Sequence, residues 1–297
     1  MGTSTAYGGP GGGTPLVPSW LGDTDGGGSP PTSPAVGDGV NGDSAAPGDG
    51  AAPLAAPYYR PAIPAAADPQ RFTGARSSFT RFATSGGTDR ANLGRAVSRY
   101  VSTSAGGARQ AAQRMGTSRG SGARLLGFLA DAQARGVREA LREFKLESLA
   151  GRPIAEIFVG LADVICPPGA GTVDEGIARE AFIETIIELT TEGLTDLSTF
   201  TPDQMQTVFE LYVTHAIEAR ICNDIGTKAV TMPTDVQAAH RVEAQLRDFI
   251  RGGVSDALTR ARADSPNLPP ERIQLFVDTV YESAFAILQS LGQAEAD

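Results

Sequence analysis

From about residue 119 to residue 293, apolar side chains recur at three- and four-residue spacing in one segment after another. No stretch of useful length alternates apolar with polar residues. A period near 3.6 lines up one face of an α-helix, whereas a half-buried strand needs a period of two. The last segment is the clearest, with Ile273, Phe276, Val277, Val280, Tyr281, Ala284 and Leu288 after Pro269-Pro270. Upstream, Leu125, Leu126, Phe128, Leu129, Ala132, Val137, Leu141 and Phe144 mark a single stripe. Pro153 reads as a first-turn residue of a helix through Ile154, Ile157, Phe158, Leu161 and Ile165, which Cys166-Pro167-Pro168-Gly169 stops. Residues 174–193 form another helix, and a further one follows Thr234 with Val242, Leu246, Phe249 and Ile250. Thr201-Pro202-Asp203-Gln204 has the residues of a helix start, and Met205, Val208, Phe209, Tyr212 and Ala216 continue it. Residues 71–115 have weaker periodicity and predict short helices broken near Gly86-Gly87 and Gly106-Gly107. The fold expected is all-α, a helical bundle-like body over about residues 71–293.

The first 70 residues are different in kind. They hold 15 of the 36 Gly and 12 of the 20 Pro, no Lys, and Arg60 as the sole base. Such a stretch buries too little apolar surface to offset the entropy of ordering it. A long disordered Gly/Pro-rich N-terminal arm is therefore expected ahead of the helical body. Its one apolar patch runs from Pro15 through Leu16, Val17 and Trp20 to Leu21, and Trp20 is the chain's single tryptophan.

Charge divides the chain again. Residues 1–70 carry six Asp and one Arg, a net of −5. Residues 71–142 carry thirteen Arg against Asp89, Asp131 and Glu139, a net of +10, and the rest comes to −14. Three regions follow: a tail and linker at 1–70, an Arg-rich, partly helical segment at 71–142, and an acidic all-helical domain at 143–297. No segment has the 18 or more apolar residues of a membrane span, and the start has neither the basic nor the apolar region of a signal peptide. Cys166 and Cys222 stand far apart without metal-ligand or redox spacing. Residence in the cytoplasm with reduced thiols is expected.

No catalytic set emerges. Gly8 to Thr14 lacks the Lys of a phosphate-binding loop, and Gly169-Ala170-Gly171 follows a helix rather than a strand. His215/Glu218 and His240/Glu243 put imidazole and carboxylate on one helix face, but in the reverse order of the Glu-x-x-His used by di-metal bundles. Neither a metal nor a cofactor is expected. Glu180, Glu184, Glu188 and Glu192 form an i, i+4 ladder of like charge, either a solvated face or a strip for a basic surface. Arg109, Arg114, Arg119 and Arg124, spaced by Ser and Gly, suit contact with nucleic-acid phosphates, yet equally suit an acidic partner or the chain's own acidic body.

Gly2 is small enough to permit removal of Met1. The resulting amine, with a pKa near ~8, is partly unprotonated at neutral pH and carries no side chain to obstruct an active site. Ala6 departs from the myristoylation pattern, which wants Ser or Thr there.

The opening Met1-Gly2-Thr3-Ser4, Tyr7-Gly8-Gly9-Pro10 and Pro15-Leu16-Val17-Pro18-Ser19-Trp20 resemble the QatB family of bacterial Qat antiphage defence systems. So do Arg114-Met115-Gly116-Thr117-Ser118, Ala123-Arg124-Leu125-Leu126-Gly127-Phe128-Leu129, Val159-Gly160-Leu161 and Asp174-Glu175-Gly176-Ile177-Ala178-Arg179. The resemblance implies a non-enzymatic role beside an ATPase, a TatD-like nuclease and a QueC-like (QatC-like) enzyme that activates a 7-deazaguanine carboxylate with ATP. It implies Gly2 as the amine that accepts the activated acid, with Thr3 and Ser4 threading the enzyme. Leu16, Val17 and Trp20 are then candidates for a secondary docking contact. The alternative is a nucleic-acid-binding or scaffolding adaptor for the ATPase or nuclease through the Arg-rich segment. No contact with a membrane is expected.

Overall fold

Ten α-helices form among the described residues, and no strand does. The computed structural model describes Asp68 and residues 70–169, 171–226, 229–265 and 268–295. The tail residues Gly2, Thr3, Ser4, Leu16, Val17 and Trp20, and the arm itself, lie outside them. In chain order the helices are α1 (Thr73–Thr84), α2 (Arg90–Arg99), α3 (Ala108–Gln113), α4 (Gly116–Arg135) and α5 (Val137–Arg142). They continue as α6 (Ile154–Ile165), α7 (Val173–Thr191), α8 (Pro202–Ile225), α9 (Val236–Asp264) and α10 (Ile273–Ala294).

Local chemistry sets most boundaries. Thr201 accepts from the Gln204 amide at 3.3 Å while the Gln204 side chain accepts from the Thr201 amide at 2.8 Å, with Pro202 in the first turn. Thr172 and Glu175 make the same reciprocal cap for α7. Such exchanges satisfy amides that a helix start leaves without partners. In two places the boundaries differ from the sequence expectation. Pro153 has ψ 145° and sits just before α6 as its N-cap, so it precedes the first turn. The stripe from Leu125 to Phe144 is two helices, because Gly136, at φ 91°, breaks it between α4 and α5. A left-handed backbone is cheap only for glycine, and the apolar period runs on across it undisturbed.

Two helices organise the core. On α8, Leu211 to Ile217 are all buried, because α7, α9 and α4 pack around it. The expected stripe through Val208, Phe209, Tyr212 and Ala216 is therefore only one side of a helix buried on several. α10 packs against α2, α3, α4 and α9 and buries Phe276, Val277, Val280, Tyr281, Phe285 and Leu288. The Arg-rich segment supplies Phe79, Phe82, Leu93, Val97, Tyr100 and Val101 to the same hydrophobic cluster as the acidic region. At the crossing of α2 and α10, Gly94 faces Gly292. A Cβ on Gly94 would stand 3.0 Å from the Gly292 carbonyl oxygen, and one on Gly292 would collide with the Gly94 carbonyl.

Candidate functional site

The four arginines singled out by spacing do not share a surface role. Arg109 is exposed on α3 and has no acidic partner among the described residues. Arg114, at the end of α3, stands 3.8 Å from Asp224 near the end of α8. Arg119 on α4 donates to Asp278 on α10 at 2.9 Å. Arg124 donates to the Ile165 carbonyl at the end of α6 at 3.2 Å. Three of the four thus fasten α3 and α4 to the rest of the body. Charge counting finds such residues but cannot see their partners.

Asp224 is a junction. It accepts from the Tyr100 hydroxyl at 2.9 Å and lies 3.3 Å from Arg220, which also pairs with Asp174 of α7. Burial, with Asp224 adding to it, pushes the Tyr100 phenol up, so it remains the donor.

A second ionic cluster lies where α7, α8 and α9 meet. The side chain of His215 is 3% exposed, with Nε2 2.9 Å from Glu188 and Nδ1 3.7 Å from Glu218. Arg251 donates to Glu188 and to Glu210, each at 3.2 Å, and Arg247 donates to Glu218 at 2.8 Å. Burial pulls the His215 imidazolium down, but the hydrogen bond to Glu188 and the nearby Glu218 carboxylate outweigh it, and the net direction is up. Glu188 is held below the usual carboxylate range, first by its bond to His215. The His-x-x-Glu spacing finds His215 and Glu218 but misses Glu188, the nearer carboxylate. The Glu ladder of α7 is therefore not a uniform face: Glu188 turns inward while Glu180 and Glu192 stay exposed. The second pair, His240 and Glu243, is exposed at 3.7 Å. No group of three or more His, Cys, Asp or Glu among the described residues could hold a metal ion.

A groove of about 310 Å³ between α1, α8 and α9 is lined by Phe79, Phe82, Ile221, Cys222, Val242 and Leu246. Burial, and then Glu218, Glu243 and Glu180, push the Cys222 thiol up to about 12. Burial likewise raises Cys166. Neither offers a thiolate near neutral pH, and it is the thiolate that attacks. Among the described residues four of the eight large exposed apolar side chains, Val159, Val173, Ile183 and Ile187, lie on α6 and α7, and the others are Met232, Val236, Leu275 and Leu291. Among the described residues no helix is long and apolar enough to cross a membrane.

A family model described as "Qat anti-phage system associated protein QatB" matches residues 106–288, more than half of the chain. No curated protein and no solved structure matches.

Proposed function

The chain belongs to the QatB family and is thereby a component of an anti-phage defence system; from that premise we propose that it is a protein substrate whose Gly2 amine is conjugated to a 7-deazaguanine. The carboxylate of the 7-deazaguanine is first activated with ATP by a QueC-like partner, releasing pyrophosphate. After removal of Met1, the Gly2 nitrogen attacks the activated carbonyl carbon. A C–N bond forms, the C–O bond to AMP breaks, and the amine surrenders a proton. Thr3 and Ser4 occupy the enzyme's entrance, and Leu16, Val17 and Trp20 give a second contact farther along. The ATPase and the TatD-like nuclease of the same system are further partners in this reading.

The observation that carries it is the tail sequence. A Gly follows Met1, small residues come next, and the first 70 residues lack the apolar content to fold alone. A glycine amine with a pKa near ~8 is a usable nucleophile at neutral pH. The body supports the reading from the other side. Cys166 and Cys222 are raised by burial, and His215 is committed to two carboxylates.

Intact-mass analysis of the chain co-expressed with the QueC-like enzyme tests this. An added mass on the N-terminal peptide is expected, and it disappears in Gly2→Pro. A mass equal to the unmodified chain when the enzyme, ATP and the 7-deazaguanine acid are all present overturns it.

A further inference from the structure

Arg114, Arg119 and Arg135 of the Arg-rich segment pair with acids of the later body, whereas α1 and α2 carry little acid of their own. Residues 71–104 carry six arginines (Arg71, Arg76, Arg81, Arg90, Arg95 and Arg99) against Asp89 alone. Asp89 is engaged as the N-cap of α2, accepting from the Asn92 amide at 3.0 Å and from the Asn92 side chain at 2.7 Å.

Three of these guanidinium groups converge on the first turn of α1. Arg71 and Arg76 place their guanidinium carbons 4.8 Å and 5.4 Å from the centre of the Phe72 ring. Both arginines are half-buried, and such stacking orders them at a gain of about 0.5–1 kcal/mol. Arg99 crosses from α2 to donate to the Ser78 hydroxyl at 3.1 Å and the Gly74 carbonyl at 3.4 Å. Arg81 lies one turn beyond Ser78 on α1, on the same side. Arg76 also donates to the Ile225 carbonyl at 2.7 Å; Arg81 and Arg99 are exposed, and Arg71 is half-buried beside them. The exposed hydroxyls of Thr73, Ser77 and Ser102 lie on the same two helices and the turn that follows them.

The character of this face selects its partner. A protein interface is anchored by buried aromatic or aliphatic residues at its centre. Every large hydrophobic residue that is exposed among the described residues lies at position 159 or beyond, and none lies in residues 71–142. What α1 and α2 present is arginine forks and hydroxyls, the groups that hold phosphate oxygens. We propose that the α1–α2 face centred on Arg71, Arg81 and Arg99 binds the phosphate backbone of nucleic acid without sequence preference. This reassigns polyanion contact away from Arg114, Arg119 and Arg124 and stands independently of the Gly2 reading.

Fluorescence anisotropy of a labelled duplex titrated with the full chain tests it. Neutralising about three phosphates gives a log–log salt slope near −2.7, roughly a 40-fold loss of affinity between ~50 and ~200 mM salt. Replacing Arg71→Gln and Arg99→Gln together should flatten that slope by about 2. Arg71→Lys with Arg99→Lys should keep most of it, which separates lost charge from lost folding. Arg138→Gln, exposed on α5, should leave binding unchanged. No binding at ~50 mM salt overturns the proposal, as does an equal loss in Arg138→Gln. Displacement of the duplex by polyglutamate at matched charge also overturns it, in favour of an acidic protein partner.

Discussion

Burial alone would make His215 a neutral histidine, and the carboxylates beside it reverse that. Glu188 of α7 and Glu218 of α8 face its two ring nitrogens, while Arg247 and Arg251 of α9 hold the same carboxylates from the far side. The net upward direction means that the folded chain binds the proton more tightly than the unfolded chain does. That contribution is fully present below the unfolded value of 6.5 and is lost as pH rises through the higher folded value. Glu188 runs the other way: its contribution is present above 4.5 and is lost as pH falls through its lowered folded value. The pair therefore stabilises the junction of α7, α8 and α9 most between those limits. Urea unfolding should give higher stability near pH 6 than near pH 8, and His215→Gln should remove most of that difference. An unchanged difference in the variant would show that the pH dependence lies elsewhere. At this scale the sequence points to half of the cluster. The i, i+3 spacing of His215 and Glu218 is visible in one segment, whereas Glu188 is 27 residues away and meets His215 only because α7 packs on α8.

A helix end written in side chains can be read from the sequence, as at the start of α8, although the equivalent cap of α7 at Thr172 and Glu175 goes unread. An end written in backbone angles cannot be read. Thr201, Pro202 and Gln204 announce the start of α8 because each has a hydrogen-bonding or steric role tied to a fixed offset. Gly136 announces nothing, since a glycine inside an apolar stripe can sit in a helix or break it, and only its φ of 91° decides. The crossing of α2 and α10 is hidden for a related reason. Gly94 and Gly292 are distant in sequence and carry no side chain, yet their backbones touch where the helices cross. Each carbonyl occupies the place that the other residue's Cβ would need, so a methyl group can be admitted only by driving the helices apart. Gly292→Ala should destabilise the body by about 1–3 kcal/mol, the usual cost of overpacking a fitted interface. For comparison, alanine in an exposed helix interior otherwise gains about 1 kcal/mol over glycine. A thermal melt thus reads the sign directly: a raised midpoint would mean that the α2–α10 crossing yields without strain.

Across the whole body the charge divide and the hydrophobic core cut the chain differently. By charge, residues 71–142 oppose everything after them. By packing, α1 and α2 belong with α9 and α10, and Tyr100 reaches Asp224 on α8. The two descriptions agree physically, because arginines on the outside of α3 and α4 pair with acids of the later helices while apolar residues beneath them share one core. A fragment limited to residues 106–288, the span of the family match, keeps α4 and most of α10 but loses α1 and α2. It thereby uncovers the surfaces that Phe79, Phe82, Leu93, Val97, Tyr100 and Val101 cover in the full chain. At about 1.5–3 kcal/mol for each large side chain, that loss is on the order of 10 kcal/mol. The whole stability of a domain is about 5–15 kcal/mol. The fragment should therefore show no cooperative melt by circular dichroism, or aggregate, under conditions where the full chain melts in one transition. A 106–288 fragment that melts cooperatively at the full chain's midpoint would show that α1 and α2 are an appendage to the core and not part of it.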